Sequence, residues 1–275
     1  MIDVIVNADD FGATAGMTQA IIDGHKNGIV NSTSLMVTMP LVSEAVEAAK
    51  SLPDLKVGLH LNLTNEKCAA PKDKIPLLVD EKGRFKNGFL KLLILSLTKP
   101  FAFRRQVVIE TQAQIAKFKK TGLTMAHIDS HRHVHMIPAI FKIVRKAAEE
   151  HGIPRIRVVN ESLWRTFLAN GGDLSYVFDG GLIKYAVLKT CYHLNEYYPK
   201  TYFYSILYTG RLAKKRFAHL KVPARYDALE IGIHPGRPDI EKRHLDGVYD
   251  PYVLSNGRTQ EYETVCDKSI LRKIK

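Results

Sequence analysis

VIVNADD, Val4 to Asp10, begins with three consecutive β-branched residues and ends on two adjacent carboxylates. The apolar start fits a buried strand, and a helical pattern from Thr18 to Gly28 follows it. Farther along, STSLMVTM precedes SEAVEAAKS, KVGLHLNL precedes a helical pattern over Arg104 to Lys120, HIDSH precedes Pro138 to Glu150, and RIRVVN follows. Strands alternating with helices predict βαβ units and a parallel sheet. The rhythm stops after Glu161, in an aromatic and basic stretch to about Leu220 that is expected to be helical, and resumes at ALEIGIHPG. Two segments stand out as insertions, 65–100 and 161–219. Long insertions in an α/β scaffold cap a site, make a partner contact or serve packing alone.

With 275 residues, 45% of them hydrophobic, the chain can build one large core or two ordinary domains, and an α/β barrel of this length is one domain. Asp3 stands where a secretory signal needs basic residues, and no small-residue cleavage site follows an apolar run, so a cytoplasmic protein is expected. LLILSL, Leu92 to Leu97, is too short to span a bilayer. Cys68, Cys191 and Cys266 lie far apart without a C-x-x-C, which suggests neither a disulfide framework nor a thiolate metal site. The net charge of +12 draws on Arg104-Arg105, Lys214-Lys215-Arg216 and the final LRKIK. Such clusters fit a solvated surface, or attraction to phosphates, anionic lipid or nucleic acid. Aromatic residues do not interleave with these charges as they do in nucleic-acid modules, which argues against that partner.

Four motifs carry chemistry. In NADDFG, Asn7 to Gly12, Asp9 and Asp10 repel each other unless a cation or a shared proton offsets them, although turn or capping roles would also suit them. In VGLHLNLT, Val57 to Thr64, His60 interrupts an apolar strand, either as a ligand or as a satisfied core histidine. HIDSHRHVHMIP, His127 to Pro138, packs four histidines and one aspartate into nine residues. On a strand over 125–131, His127, Asp129 and His131 share one face, and Pro138 could open a helix. Burying so many imidazoles without a task is costly, whereas divalent metals use imidazole ligands and partners that fix their tautomers. In EIGIHPG, Glu230 to Gly236, His234 ends an apolar run, a common place for a histidine before a turn. All four motifs fall at the carboxyl ends of predicted strands, where barrel enzymes gather catalytic residues. Two or three imidazoles with one carboxylate suit catalytic Zn²⁺ or a similar divalent ion.

NADDFG, GLHLNLT, HIDSHRHVHMIP and IHPG, in this order and at these intervals, resemble the YdjC-like carbohydrate deacetylases, a family similar to the polysaccharide deacetylases. TSLMV and the long basic insertion resemble most the branch associated with hopanoid biosynthesis. The resemblance implies an irregular (β/α) TIM-like barrel with a long helical insertion, one domain over 1–275, and a metal-dependent hydrolase that removes acetyl groups from N-acetylated sugars. It implies Asp10, His60 and His131 as metal ligands, Asp9 as general base and His234 as general acid. Arg132 stands where the family often has histidine, and because His131, His133 and His135 lie within one turn of each other, His133 and His135 stay open beside His131 as the third ligand. Together with His127 and Asp129 they are otherwise expected to support the ligands from behind. The family points to Mg²⁺, whereas mixed imidazole and carboxylate donors lean towards Zn²⁺.

In this scheme Asp9 takes a proton from water and His234 protonates the leaving amine. Three rivals remain open at the level of sequence. Glycoside hydrolysis by Asp9 and Asp129 would leave the histidines idle. A metal-dependent phosphoesterase would suit the basic surface, and a non-catalytic barrel would bind a sugar or a partner without turnover. FLKLLILSL and the basic, aromatic region 182–217 could seat the chain on an anionic membrane and present a glycolipid, or pack in the core or a homodimer contact.

Overall fold

The computed structural model describes residues 2–177, 180–217, 219–244 and 251–274. Its strands are β1 (Asp3–Phe11), β2 (Ser32–Leu35), β3 (Lys56–Leu61), β4 (Ile128–Ser130), β5 (Thr201–Tyr204) and β6 (Ala228–Ile233). They form one parallel sheet in the order β4-β3-β2-β1-β6-β5. The central strand β1 is buried continuously from Val6 to Phe11, as a parallel strand covered on both faces should be. Around the sheet run α1 (Ala15–Asn27), α2 (Val42–Lys50), α3 (Phe89–Thr98), α4 (Pro100–Lys119), α5 (Pro138–His151), α6 (Leu163–Ala169), α7 (Gly181–Asn195), α8 (Pro238–His244) and α9 (Asn256–Val265). Among the described residues no helix is long and apolar enough to cross a membrane.

Local chemistry sets the helix ends. Thr14 accepts the Met17 N–H at 3.3 Å to start α1, and the Glu241 carboxylate also accepts from Gly16 and Met17 there, where the helix dipole favours a negative charge. Pro100 and Pro138 occupy the first turns of α4 and α5, where their missing N–H groups lose nothing. Gly152 closes α5 in the left-handed region at φ 65°.

The expected barrel is not closed. Among the described residues β4 and β5 are the outermost strands of an open sheet, and they do not pair with each other. Closure fails for lack of extended chain. β4 has three residues, and RIRVVN meets it only through a single bridge between Ile128 and Ile156. The insertion expected as helical, 161–219, holds α6 and α7 but also contains β5, which joins β6 at the sheet edge. Segment 65–100 carries two isolated antiparallel bridges, Lys67 to Arg84 and Val79 to Phe85, and then α3.

Gly58 in β3 shows how tightly the sheet is built around one histidine. A Cβ placed there would lie 2.3–2.4 Å from three ring atoms of the fully buried His127. Gly58→Ala is therefore expected to cost about 1–3 kcal/mol through forced displacement of that ring. Urea unfolding measures it, and an unchanged midpoint would contradict the packing.

Candidate metal centre

In a regular strand Asp9 and Asp10 would face opposite sides of the sheet. Here the register between β1 and β2 shifts between Ala8 and Phe11, and Asp10 takes a left-handed φ of 69°. A bulge of this kind re-aims side chains, and Asp tolerates the left-handed region better than most residues. Both carboxylates consequently line one cavity of about 370 Å³ at the carboxyl edge of the sheet.

Three side chains converge beside it. Asp10 Oδ1 lies 2.9 Å from His131 Nδ1 and 3.5 Å from His60 Nε2, and one ligand atom of each of the three residues falls within 4.8 Å of the others. The other His60 nitrogen, Nδ1, is 2.7 Å from Asp129 Oδ1. A carboxylate behind an imidazole fixes the tautomer that leaves Nε2 bare for a metal. A buried carboxylate, two imidazoles and this supporting carboxylate suit a divalent ion. Asp10 would offer Oδ1, since its Oδ2 accepts from Arg258 Nη2 at 2.9 Å.

Asp9 is held differently. Its oxygens accept from Arg157 Nη1 and Nη2 at 2.7 and 2.8 Å and from Asn7 Nδ2 at 2.8 Å, and His234 Nε2 lies 3.6 Å from Oδ2. The same guanidinium reaches Asp129 Oδ2 at 2.8 Å and Glu230 Oε1 at 2.6 Å, while Arg155 also pairs with Glu230.

The histidine-rich turn divides into separate tasks. The strand expected over 125–131 covers only β4, so His131 begins a 3-10 turn in place of continuing the alternation. His127 and Asp129 do share a face, where Ser34 Oγ donates to Asp129 Oδ2 at 2.7 Å and lies 3.0 Å from His127 Nε2. Arg132 and His133 both adopt left-handed backbone, at φ 55° and 53°. Two such residues in succession are strained, and the surrounding packing must hold them. His133 lines the cavity, against Phe203. His135 is committed elsewhere. Ser130 Oγ accepts its backbone N–H at 2.9 Å and lies 2.6 Å from Nδ1, and its Nε2 meets the Arg157 carbonyl at 3.0 Å. The geometry thus gathers His131, and not His133 or His135, with Asp10 and His60.

Burial and charge set the protonation of these groups. Burial would raise Asp129, but Arg157 and His60 hold it well below the usual carboxylate range. Burial likewise opposes a low value at Asp10, and His131, His60 and Arg258 outweigh it. Burial disfavours charge on His60, yet Asp129 and Asp9 push it up to about 10. Burial prevails at His127, down to about 3, and at His135 and His234, each down to about 4. Glu261 is pushed up to about 7 by burial, although it accepts the His234 N–H at 2.5 Å.

Sequence reasoning missed Arg157, Glu230, Ser34, Arg258 and Glu261. Arg157 and Glu230 did leave a signal, since each interrupts an apolar β-like run that a parallel sheet buries, and two such opposite charges should meet. Arg258 and Glu261 come from α9, where nothing local marks them.

An open parallel α/β sheet with an Asp-His-His cluster at its carboxyl edge defines the class as an α/β protein with a candidate divalent-metal centre. The family model described as YdjC-like protein matches residues 3–275, and the chain belongs to that family. A carbohydrate deacetylase of Brevibacillus brevis is 43% identical over 152 residues, 55% of this chain and 57% of that protein. A carbohydrate deacetylase of Thermoanaerobacter pseudethanolicus is 34% identical over 196 residues, 70% of this chain and 76% of that protein. The first of these matches therefore spans a little over half of the relative's length. A crystal structure of an Enterococcus faecalis protein, described as a candidate for cellobiose-phosphate cleavage, is similar with a TM-score of 0.69 and 26% identity, covering 99% of this chain and 93% of the other.

The opposed shifts give ion-free protein a stability maximum near pH 6.5. Below it the unfolded chain protonates His127, His135 and His234 while the folded chain keeps them neutral, so stability falls as pH drops towards 4. Above it the unfolded chain loses the proton that folded His60 retains, so its contribution fades as pH rises towards 10. Urea midpoints measured in chelator across this range are expected to trace that peak, and a monotonic profile would contradict these environments.

Proposed function

We propose that this chain is a divalent-metal-dependent hydrolase that releases acetate from N-acetylated carbohydrates. The observation that carries this is the convergence of Asp10, His60 and His131 beside a cavity that also holds Asp9 and His234. The carbohydrate deacetylase names of the relatives support the substrate class. A bound divalent ion would supply a Lewis acid for the amide carbonyl. Its two imidazole donors favour an ion such as Zn²⁺ over Mg²⁺, which the family resemblance suggested.

Asp9, oriented by Arg157 and Asn7, takes a proton from the attacking water. The water oxygen joins the acetyl carbon, the C–N bond breaks, and the departing nitrogen requires a proton. His234 is neutral at rest and its Nε2 lies 3.6 Å from Asp9 Oδ2, so the proton that Asp9 collects passes through His234 to the amine. Ala13, Met17 and Met36, with Met39 and Val253 against them, form a small apolar cluster apart from the main core, and all five line the cavity. That wall suits the acetyl methyl. Lys184 and Arg132 line the same cavity and suit a sugar that also carries phosphate.

The Asp9 and Asp129 pair fits glycoside hydrolysis poorly. Asp129 is fully buried behind His60, and both carboxylates meet the same Arg157 nitrogen instead of flanking a bond.

Acetate release from N-acetylated disaccharides, their phosphorylated forms and an N-acetylated glycolipid, with Zn²⁺- or Mg²⁺-loaded protein, tests the proposal. The expected products are acetate and free amine in equal amount with the glycosidic bond intact. Asp9→Asn should lower turnover by about 10²- to 10⁴-fold while retaining the ion. Glycosidic cleavage or phosphate release without acetate would overturn it.

A further inference from the structure

We propose that α3, the start of α4 and α7 form a docking face for an anionic lipid bilayer. Leu90, Ile94 and Leu97 follow one stripe of α3 and are 68%, 45% and 73% exposed, and Phe101 at the start of α4 is 91% exposed. Leu92 and Leu95 on the opposite side of α3 are buried in the core. On α7, Ile183 and Leu194 are 74% and 62% exposed. These elements border one groove of about 720 Å³, lined by Leu93 and Leu97 of α3 and by Val187 and Leu194 of α7. Folding alone gives no reason to leave so many large apolar side chains in water, and clustered exposure of this size marks an interaction surface.

Charge chooses the occupant. From Lys82 to Ile109 the sequence has no Asp or Glu and seven Lys or Arg, and α7 has no acidic residue either. Lys91, Lys99, Arg104 and Arg105 are exposed beside the apolar stripe, and Lys142 and Arg104 line the groove. Apolar side chains framed by basic ones are what a helix lying in the headgroup region of an anionic membrane presents. A second copy of the chain fits worse, because a two-fold contact through this face would set these cations against their own equivalents. The 131–136 turn that carries His131 packs against both α3 and α7. Lys184 of α7 lines the catalytic cavity and Leu194 lines the groove, ten residues apart and thus roughly 15 Å along one helix. Docking would accordingly hold the cavity within a helix length of the lipid surface. This inference does not depend on the chemistry proposed for the site.

Co-sedimentation of the full chain with phosphatidylcholine vesicles, pure or containing about one third phosphatidylglycerol, tests it. The expected result is binding to the anionic vesicles at low salt, at least about tenfold weaker on pure phosphatidylcholine or at high salt. The double variant Leu97→Asp, Phe101→Asp alters two exposed side chains, so it should keep the wild-type circular dichroism and lose about tenfold or more of the vesicle binding. No binding of wild type to anionic vesicles would overturn the proposal, as would undiminished binding by the folded double variant. Light scattering that shows a wild-type dimer turned monomer by the same substitutions would assign the face to a second copy and overturn it equally.

Discussion

Arg157 lies fully buried at the sheet's carboxyl edge, and its guanidinium is shared by Asp9 of β1, Asp129 of β4 and Glu230 of β6. Taking a single ion out of water costs several kcal/mol even after relaxation, and stranding one member of a buried pair costs about 3–5 kcal/mol. Arg157 and the three carboxylates around it offset the cost of one another's burial, and without Arg157 all three would lose a shared countercharge. The planar fork of an arginine can serve three carboxylates at once, which a lysine ammonium cannot do with the same geometry. Strands that are distant in the sheet order are tied by one cation, and that tie fixes where Asp9 and Asp129 stand at the candidate site.

A division of labour follows. Asp129 and Asp9 are both held by Arg157, but Asp129 turns inward to His60 while Asp9 turns to the cavity and His234. Asp10, freed from the strand's alternation by the bulge, takes no part in the Arg157 cluster and meets His60, His131 and Arg258. Adjacent carboxylates that would repel on a regular strand are thereby given separate countercharges. Met17 and Met36 bring apolar side chains to the lining of the same cavity.

Much of this was legible in the sequence. The strand-helix alternation located five of the six strands, and the four motifs fell at strand ends because hydrophobic runs bounded by turns mark those ends locally. β5 escaped notice because TYFY sits in a basic, aromatic segment whose pattern does not distinguish an edge strand from a helix. Barrel closure was overestimated for a related reason. RIRVVN has β-like composition, yet hydrogen-bond pairing is decided by neighbours that sequence alone does not supply. The separation of His131 from His133 and His135 turned on two left-handed residues in a row, Arg132 and His133, neither a glycine that would have announced them. Arg258 reaches Asp10 across 248 residues of chain, a contact invisible to any local pattern.

Metal stoichiometry tests the centre of this account most directly. After chelation and reloading with Zn²⁺, wild type and His133→Ala are expected to hold one ion per chain by elemental analysis, and His131→Ala to lose it, because His131 joins Asp10 and His60 while His133 only lines the cavity. A wild-type chain that holds no ion, or a His131→Ala variant that holds it as well as wild type, would contradict the assignment.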